Sequence, residues 1–136
     1  MLELEPYVFF YGKCEEALNF YKGIFNGKIA SVTRMKEAPP EMAAPPNWGD
    51  KIMHARFEAP GVAFQASDGG PDTKNVDGNI SLGLSTKDES EATRVFDKLS
   101  EGGEVSMPMQ DTFWNAKFGV LKDKYGIEWF VNCDKS

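Results

Sequence analysis

Histidine is nearly missing from this chain of 136 residues: it occurs once, as His54. Cysteine occurs twice, as Cys14 and Cys133, far apart and in no metal-ligand spacing. A zinc or iron site would have to be carboxylate-dominated, and neither thiol has the nearby histidine that nucleophilic catalysis requires. Basic residues are outnumbered 15 to 21, for a net charge of −6, and form no run that could track a phosphate backbone. Nucleic acid and anionic membrane surfaces are therefore excluded as partners. No apolar stretch approaches the roughly 20 residues that span a bilayer. Met1 to Glu5 lacks the basic and apolar regions of a signal peptide. The pattern predicts a soluble cytoplasmic protein with reduced thiols, while leaving a Cys14–Cys133 disulfide open.

What is plentiful is aromatic: 10 Phe, 4 Tyr and 3 Trp, enough with the aliphatics to build a packed core in one domain or two small shared modules. Pro6 to Tyr11 reads as a buried strand stopped by Gly12. Cys14, Ala17, Leu18, Tyr21, Ile24 and Phe25 then recur at helical spacing, with Glu15 and Glu16 at the end where the helix dipole favours anions and Asn26-Gly27 as C-cap. Lys28 to Lys36 alternates like a half-exposed strand. Glu37 to Asp50, with two Pro-Pro pairs, forbids regular structure and reads as a covering loop that carries Met42 and Trp48. Lys51 to Glu58 and Val62 to Ser67 form a strand pair about Ala59-Pro60-Gly61, and the acidic, Gly-rich run from Asp68 to Gly78 marks a module boundary.

The pattern then restarts. Asn79 to Ser85 alternates as a strand, Thr86 and Glu89 have the spacing of a capping box, and Ala92, Val95, Phe96 and Leu99 form a second helical stripe ended by Gly102-Gly103. Three β-rich segments follow, 104–110, 113–121 and 127–133, the last two joined by a polar linker closed by Gly126. Superposing the halves puts Glu16-Ala17 on Glu91-Ala92, Phe20 and Tyr21 on Val95 and Phe96, Ile24 on Leu99, Gly27 on Gly102 and Gly61 on Gly126. The offset falls from 75 residues at the helices to 65 at the hairpins, which the Pro-rich loop of the first half absorbs. The expected fold is α+β: two βαβββ modules, residues 1–70 and 78–136, neither able to bury its mixed sheet alone.

Paired modules of this order are the layout of the vicinal oxygen chelate superfamily of glyoxalase I, extradiol dioxygenases and bleomycin-resistance proteins. The opening PYVFFYGKCEEALNFY and the closing LSEGGEVSMPMQDTFWNAKFGVLKDKYGIEWFVNC resemble its PhnB-like branch, to which the name demethylubiquinone methyltransferase is sometimes attached. That name does not suit the residues, because neither Gly69-Gly70 nor Gly102-Gly103 joins a strand to a helix as a nucleotide-binding turn does. The resemblance implies curved sheets that form a cleft, usually in a homodimer. It also implies four metal-ligand places, which fall near Pro6 or Tyr7, at Phe64 or Gln65, at Asn79 and at Phe130. Only Gln65 is an ordinary ligand type, so no metal and no other cofactor is expected. His54, Arg56 and Glu58 share a strand face, but an arginine between two ligands would oppose a cation.

What remains is an apolar, amide-dotted pocket lining: Phe9, Trp48, Phe64, Gln65, Asn79, Met107, Gln110, Trp114, Asn115 and Phe130. The expected function is binding of a small, partly aromatic molecule without a metal. The alternative is a metal-dependent lyase, isomerase or dioxygenase with a non-standard site around His54, Glu58 or Gln65.

Overall fold

A computed structural model describes residues 2–39, 44–70 and 80–135. The chain divides into two compact units, Met1–Val76 and Asp77–Ser136. In the first, β1 (Tyr7–Phe9) leads into α1 (Cys14–Phe25), then β2 (Lys28–Arg34), a 3-10 turn (Met35–Glu37), β3 (Ile52–Ala59) and β4 (Val62–Ser67). The second repeats the order with β5 (Leu82–Thr86), α2 (Glu89–Ser100), β6 (Glu104–Asp111), β7 (Ala116–Lys122) and β8 (Glu128–Asp134). The sheets run β1-β4-β3-β2 and β5-β8-β7-β6. In each, the first strand pairs parallel with the last and the other pairings are antiparallel. The class is α+β, with two βαβββ modules of identical topology.

Each helix buries the stripe its spacing predicts. Cys14, Ala17, Leu18, Tyr21 and Ile24 face inward on α1, and Ala92, Val95, Phe96 and Leu99 on α2. Under α1 the aromatic core is continuous: Tyr21 meets Phe64 edge-on at 6.0 Å and Phe57 stacks on Phe64 at 5.1 Å. The ends are capped differently. For α2 the capping box expected at Thr86 and Glu89 is displaced: Asp88 is the N-cap and accepts from Glu91 N, while Thr86 Oγ1 binds the Glu91 carboxylate. The shorter Asp side chain reaches the N3 amide, and Glu89 is already helical. At α1, Lys13 offers no acceptor. The carboxylate comes from Asp68, whose Oδ1 accepts from Gly12 N and Cys14 N at 2.9 and 2.7 Å and whose Oδ2 accepts from Ile52 N at 2.7 Å. Asp68, read in the sequence as the first residue of an acidic module boundary, is thus a buried staple.

Some boundaries differ from the sequence reading. The fifth strand begins at Leu82, not at residue 79. Residues 113–115 are not strand: the chain turns there, with Asn115 left-handed at φ 58°, so the large rings of Phe113 and Trp114 sit at a turn. The glycine equivalences also shift by one. Asn26 and Gly102 are the left-handed residues after each helix. Gly27 and Gly103 share another demand, for a Cβ at Gly27 would lie 2.8 Å from Glu58 O and one at Gly103 2.2 Å from Lys122 O. Both pass against the hairpin backbone, where only glycine fits.

The β7–β8 hairpin closes on a second buried carboxylate. Asp123 accepts from Tyr125 N, Ile127 N and Trp129 Nε1 at 2.8–3.0 Å, and Gly126 takes φ 88°. At the sheet edge, β6 is irregular. Its register against β7 slips between Val105 and Met107 and again before Gln110, and it carries Pro108.

Candidate functional site

Each sheet keeps one face under its helix and leaves the other uncovered by it, and strand register assigns every residue to one or the other. In the first unit the helix-covered face holds Ala55, Phe57, Phe64 and Ala66. Phe64, expected to line the pocket, is only 3% exposed and stacks in this core; strand parity turns it inward, and its neighbour Gln65 takes the outer face. There Gln65 pairs with Tyr7 on β1 and Arg56 on β3. Its Oε1 lies 2.8 Å from His54 Nε2. Tyr7 packs 5.2 Å from Phe9 and 5.9 Å from the His54 ring, so Phe9, Gln65 and His54 are brought together.

Arg56 on the same face is paired with two carboxylates. Its Nε donates to Glu58 at 2.8 Å and a terminal nitrogen to Glu5 at 2.6 Å. Those hydrogen bonds hold its pKa above the ordinary guanidinium value and hold Glu58 below the usual carboxylate value. Trp48 lies elsewhere, its indole against Gly12 in the β1–α1 turn, 3.6 Å from where a Cβ there would stand. That contact gives it a packing role in its own unit. Beside that turn is a depression of about 610 Å³ lined by Lys13, Glu15, Arg34, Asp50 and Lys51. Two of its three cations are committed: Arg34 forms a two-bond pair with Glu15, and Lys51 Nζ donates to Gly12 O.

The second unit is different in kind. Pairing of Phe118 with Asn132, Val120 with Phe130, Met107 with Val120 and Gln110 with Phe118 puts all six on the face away from α2. Leu121, Trp129, Val131 and Cys133 take the covered face. A row of edge-on rings runs along the uncovered side: Phe113 to Trp114 at 5.0 Å, Trp114 to Phe118 at 5.6 Å, Phe118 to Phe130 at 5.5 Å. These rings remain open to solvent, with Phe113 96%, Trp114 49% and Phe130 38% exposed. Trp114 Nε1 points to Asn132 Oδ1 at 3.5 Å. Met107, Gln110, Trp114 and Phe130 thus belong to one surface. Asn115 serves the turn through its left-handed backbone and accepts Lys135 N at its carbonyl. Asn79 lies outside the described residues. Phe118 and Asn132 were missed by the sequence reading; their shared face follows from the register of β7 with β8.

Of the ligand places implied by the resemblance, Tyr7 stands beside Gln65 in the first unit and Phe130 lies on β8 in the second, while Asn79 is outside the described residues. The Phe130 ring donates nothing to a cation. Among the described residues no three His, Cys, Asp or Glu side chains gather into a possible metal site. The two thiols are free and buried, and burial, with Asp68 and Glu15 nearby, holds Cys14 well above the ordinary thiol range. We expect Ellman's reagent to leave both cysteines unmodified in the native protein and to titrate both in urea; a fast native phase would contradict their burial.

This pair of βαβββ units, each with an uncovered sheet face, is the fold of the vicinal oxygen chelate superfamily, shared with glyoxalase, bleomycin-resistance and dioxygenase-domain proteins. The chain belongs to its PhnB-like branch: a family model described as 3-demethylubiquinone-9 3-methyltransferase matches residues 3–132. It is 37% identical to protein PA1353 from Pseudomonas aeruginosa, with a TM-score of 0.86 and 98% of each chain covered. It is 31% identical to a Bacillus cereus protein described as a putative 3-demethylubiquinone-9 3-methyltransferase, PhnB protein, with a TM-score of 0.80 over 97% of this chain and 99% of that one. Protein YjdN from Escherichia coli (strain K12) is 28% identical over 98% of this chain and 97% of its own.

Proposed function

We propose that this protein binds a small, partly aromatic molecule on the uncovered face of its second sheet, without a metal. One observation carries the reading: the ring row from Phe113 to Phe130 stands open beside the amides of Asn132 and Gln110. Buried aromatic pairs need no such exposure. Aromatic surface with sparse, uncharged polar groups is the chemistry of small-molecule sites. Methyl transfer is not the activity we infer. The strand-to-helix turn at Gly12 would be the place for a nucleotide cofactor, but its amides on Gly12 and Cys14 are taken by Asp68. A cytoplasmic homodimer accords with the family resemblance, and sedimentation tests the dimer. No helix among the described residues is long and apolar enough to cross a membrane.

The test is a thermal-shift and tryptophan-fluorescence screen against flat aromatic molecules, with Mn²⁺, Ni²⁺ and EDTA in parallel wells. We expect aromatic hits whose affinity falls at least about tenfold in Trp114→Ala, which is the ~1.4 kcal/mol that loss of one stacking partner supplies. We expect no melting shift from the metals. A shift of several degrees on adding a divalent ion, reversed by EDTA, would move the reading to a metal-dependent enzyme around His54 and Gln65.

A further inference from the structure

Gly83 has no structural reason to be glycine. It sits in the interior of β5, opposite Phe130, and an interior strand glycine gives up side-chain packing and backbone order. Three grounds normally justify one. A left-handed backbone is not among them here, since Gly83 is absent from the positive-φ glycines. Close approach of another part of the chain is not either among the described residues, where a Cβ at Gly83 would meet nothing within 4 Å. That contrasts with Gly103 and Gly119, whose Cβ atoms would meet the hairpin backbone and the Phe96 ring. The third ground is something from outside that approaches the strand.

Resting on the function proposed above, we infer that Gly83 is the floor of the binding site, a bare step on which a flat ring lies against Phe130. The geometry of the step supports this. Strand β5 is the edge of its sheet, and its uncovered side presents only Gly83 and Ser85 next to Phe130 and Asn132. A low shelf therefore borders a tall aromatic ridge. The polar groups define the ligand further. Asn132 uses its oxygen toward Trp114 Nε1, which leaves its amide N–H groups as the donor end. The Ser85 hydroxyl, exposed beside it, gives or takes one hydrogen bond. Glu128, two residues before Phe130 on the same face and hydrogen-bonded to Ser81, opposes an anion. The ligand class is an uncharged aromatic ring that bears a hydroxyl or carbonyl group, in preference to an aromatic carboxylate.

The probe is 2-naphthol, with 2-naphthoate as the charged counterpart, titrated into wild-type protein, Gly83→Val, Gly83→Ala and Trp114→Ala. Wild type is expected to bind 2-naphthol at least tenfold more tightly than 2-naphthoate. Gly83→Val should melt at or above the wild-type temperature, because a β-branched residue favours the strand, and should bind 2-naphthol at least tenfold more weakly. Gly83→Ala should fall between. Unchanged affinity in both Gly83 variants, with Trp114→Ala still weakened, would overturn the floor and leave the aromatic face standing. Absence of binding to wild type would overturn both. A drop of several degrees in both Gly83 variants would mean the space over the strand is not open, and a change in sedimentation without a change in probe affinity would mean that a second copy of the chain lies there. Either result also overturns the floor.

Discussion

Asp123→Ala is expected to be the most damaging single substitution in the second unit. Three hydrogen bonds end on this carboxylate, from Tyr125 N, Ile127 N and Trp129 Nε1, and the residue is almost fully buried. Alanine deprives all three donors of that acceptor in a place where water does not reach easily. At about 1–3 kcal/mol for each buried group left unsatisfied, partly offset by relaxation of the turn, the loss is about 4 kcal/mol. Against a stability of roughly 5–15 kcal/mol for a domain, that brings the fold near its threshold. Urea denaturation followed by fluorescence measures it. Asp123→Asn should lie between, because the amide keeps the shape and one acceptor but turns an N–H₂ toward a donor. A loss under about 1 kcal/mol in the alanine variant would show that the turn holds without the carboxylate.

Gly103→Ala is expected to cost nearly as much for a different reason. The added Cβ would stand 2.2 Å from Lys122 O and 2.9 Å from Asp123 Cα. Both are backbone atoms of the β7–β8 hairpin, and neither can swing aside as a side chain does. Either β6 separates from β7 at its first pair, Glu104 with Lys122, or the Asp123 turn deforms. Overpacking against yielding neighbours costs about 1–3 kcal/mol, and here the upper end applies, about 3 kcal/mol. Gly83→Ala is the internal control, the same chemical change with no described residue within 4 Å of the new Cβ. If both variants melt together with wild type, the close approach at Gly103 is not real.

Much of the fold was legible because its signals are local. The helical stripes at Cys14–Phe25 and Glu89–Ser100, the hairpin glycines Gly61 and Gly126 and the repeat itself follow from spacing within a few residues. Two kinds of feature were not. Asp68 and Asp123 act on partners that only the tertiary fold brings near, and an acidic residue beside glycines reads in sequence as a solvated loop. The site depended on parity. A one-residue uncertainty in a short strand exchanges the two faces, which is why Phe64 and Gln65 could not be told apart until the pairing of Phe57 with Phe64 fixed one inward and the other outward. The aromatic row was half visible: Trp114 and Phe130 stood out as large residues, but Phe118 joins them only through its register with Asn132. Gly83 was invisible by nature, since an unexplained glycine is recognised from the emptiness around it.

The irregular edge strand β6 has a bearing on how this protein behaves in a crowded solution. An open row of aromatic rings next to an edge strand is the usual recipe for chains that stack into fibrils. Pro108 removes one donor from that edge, the two register slips bend it away from a straight template, and Glu104 and Asp111 place like charges at its ends. Together with a net charge of −6, these devices let the molecule keep a sticky surface available to small visitors while denying its neighbours a ladder to extend.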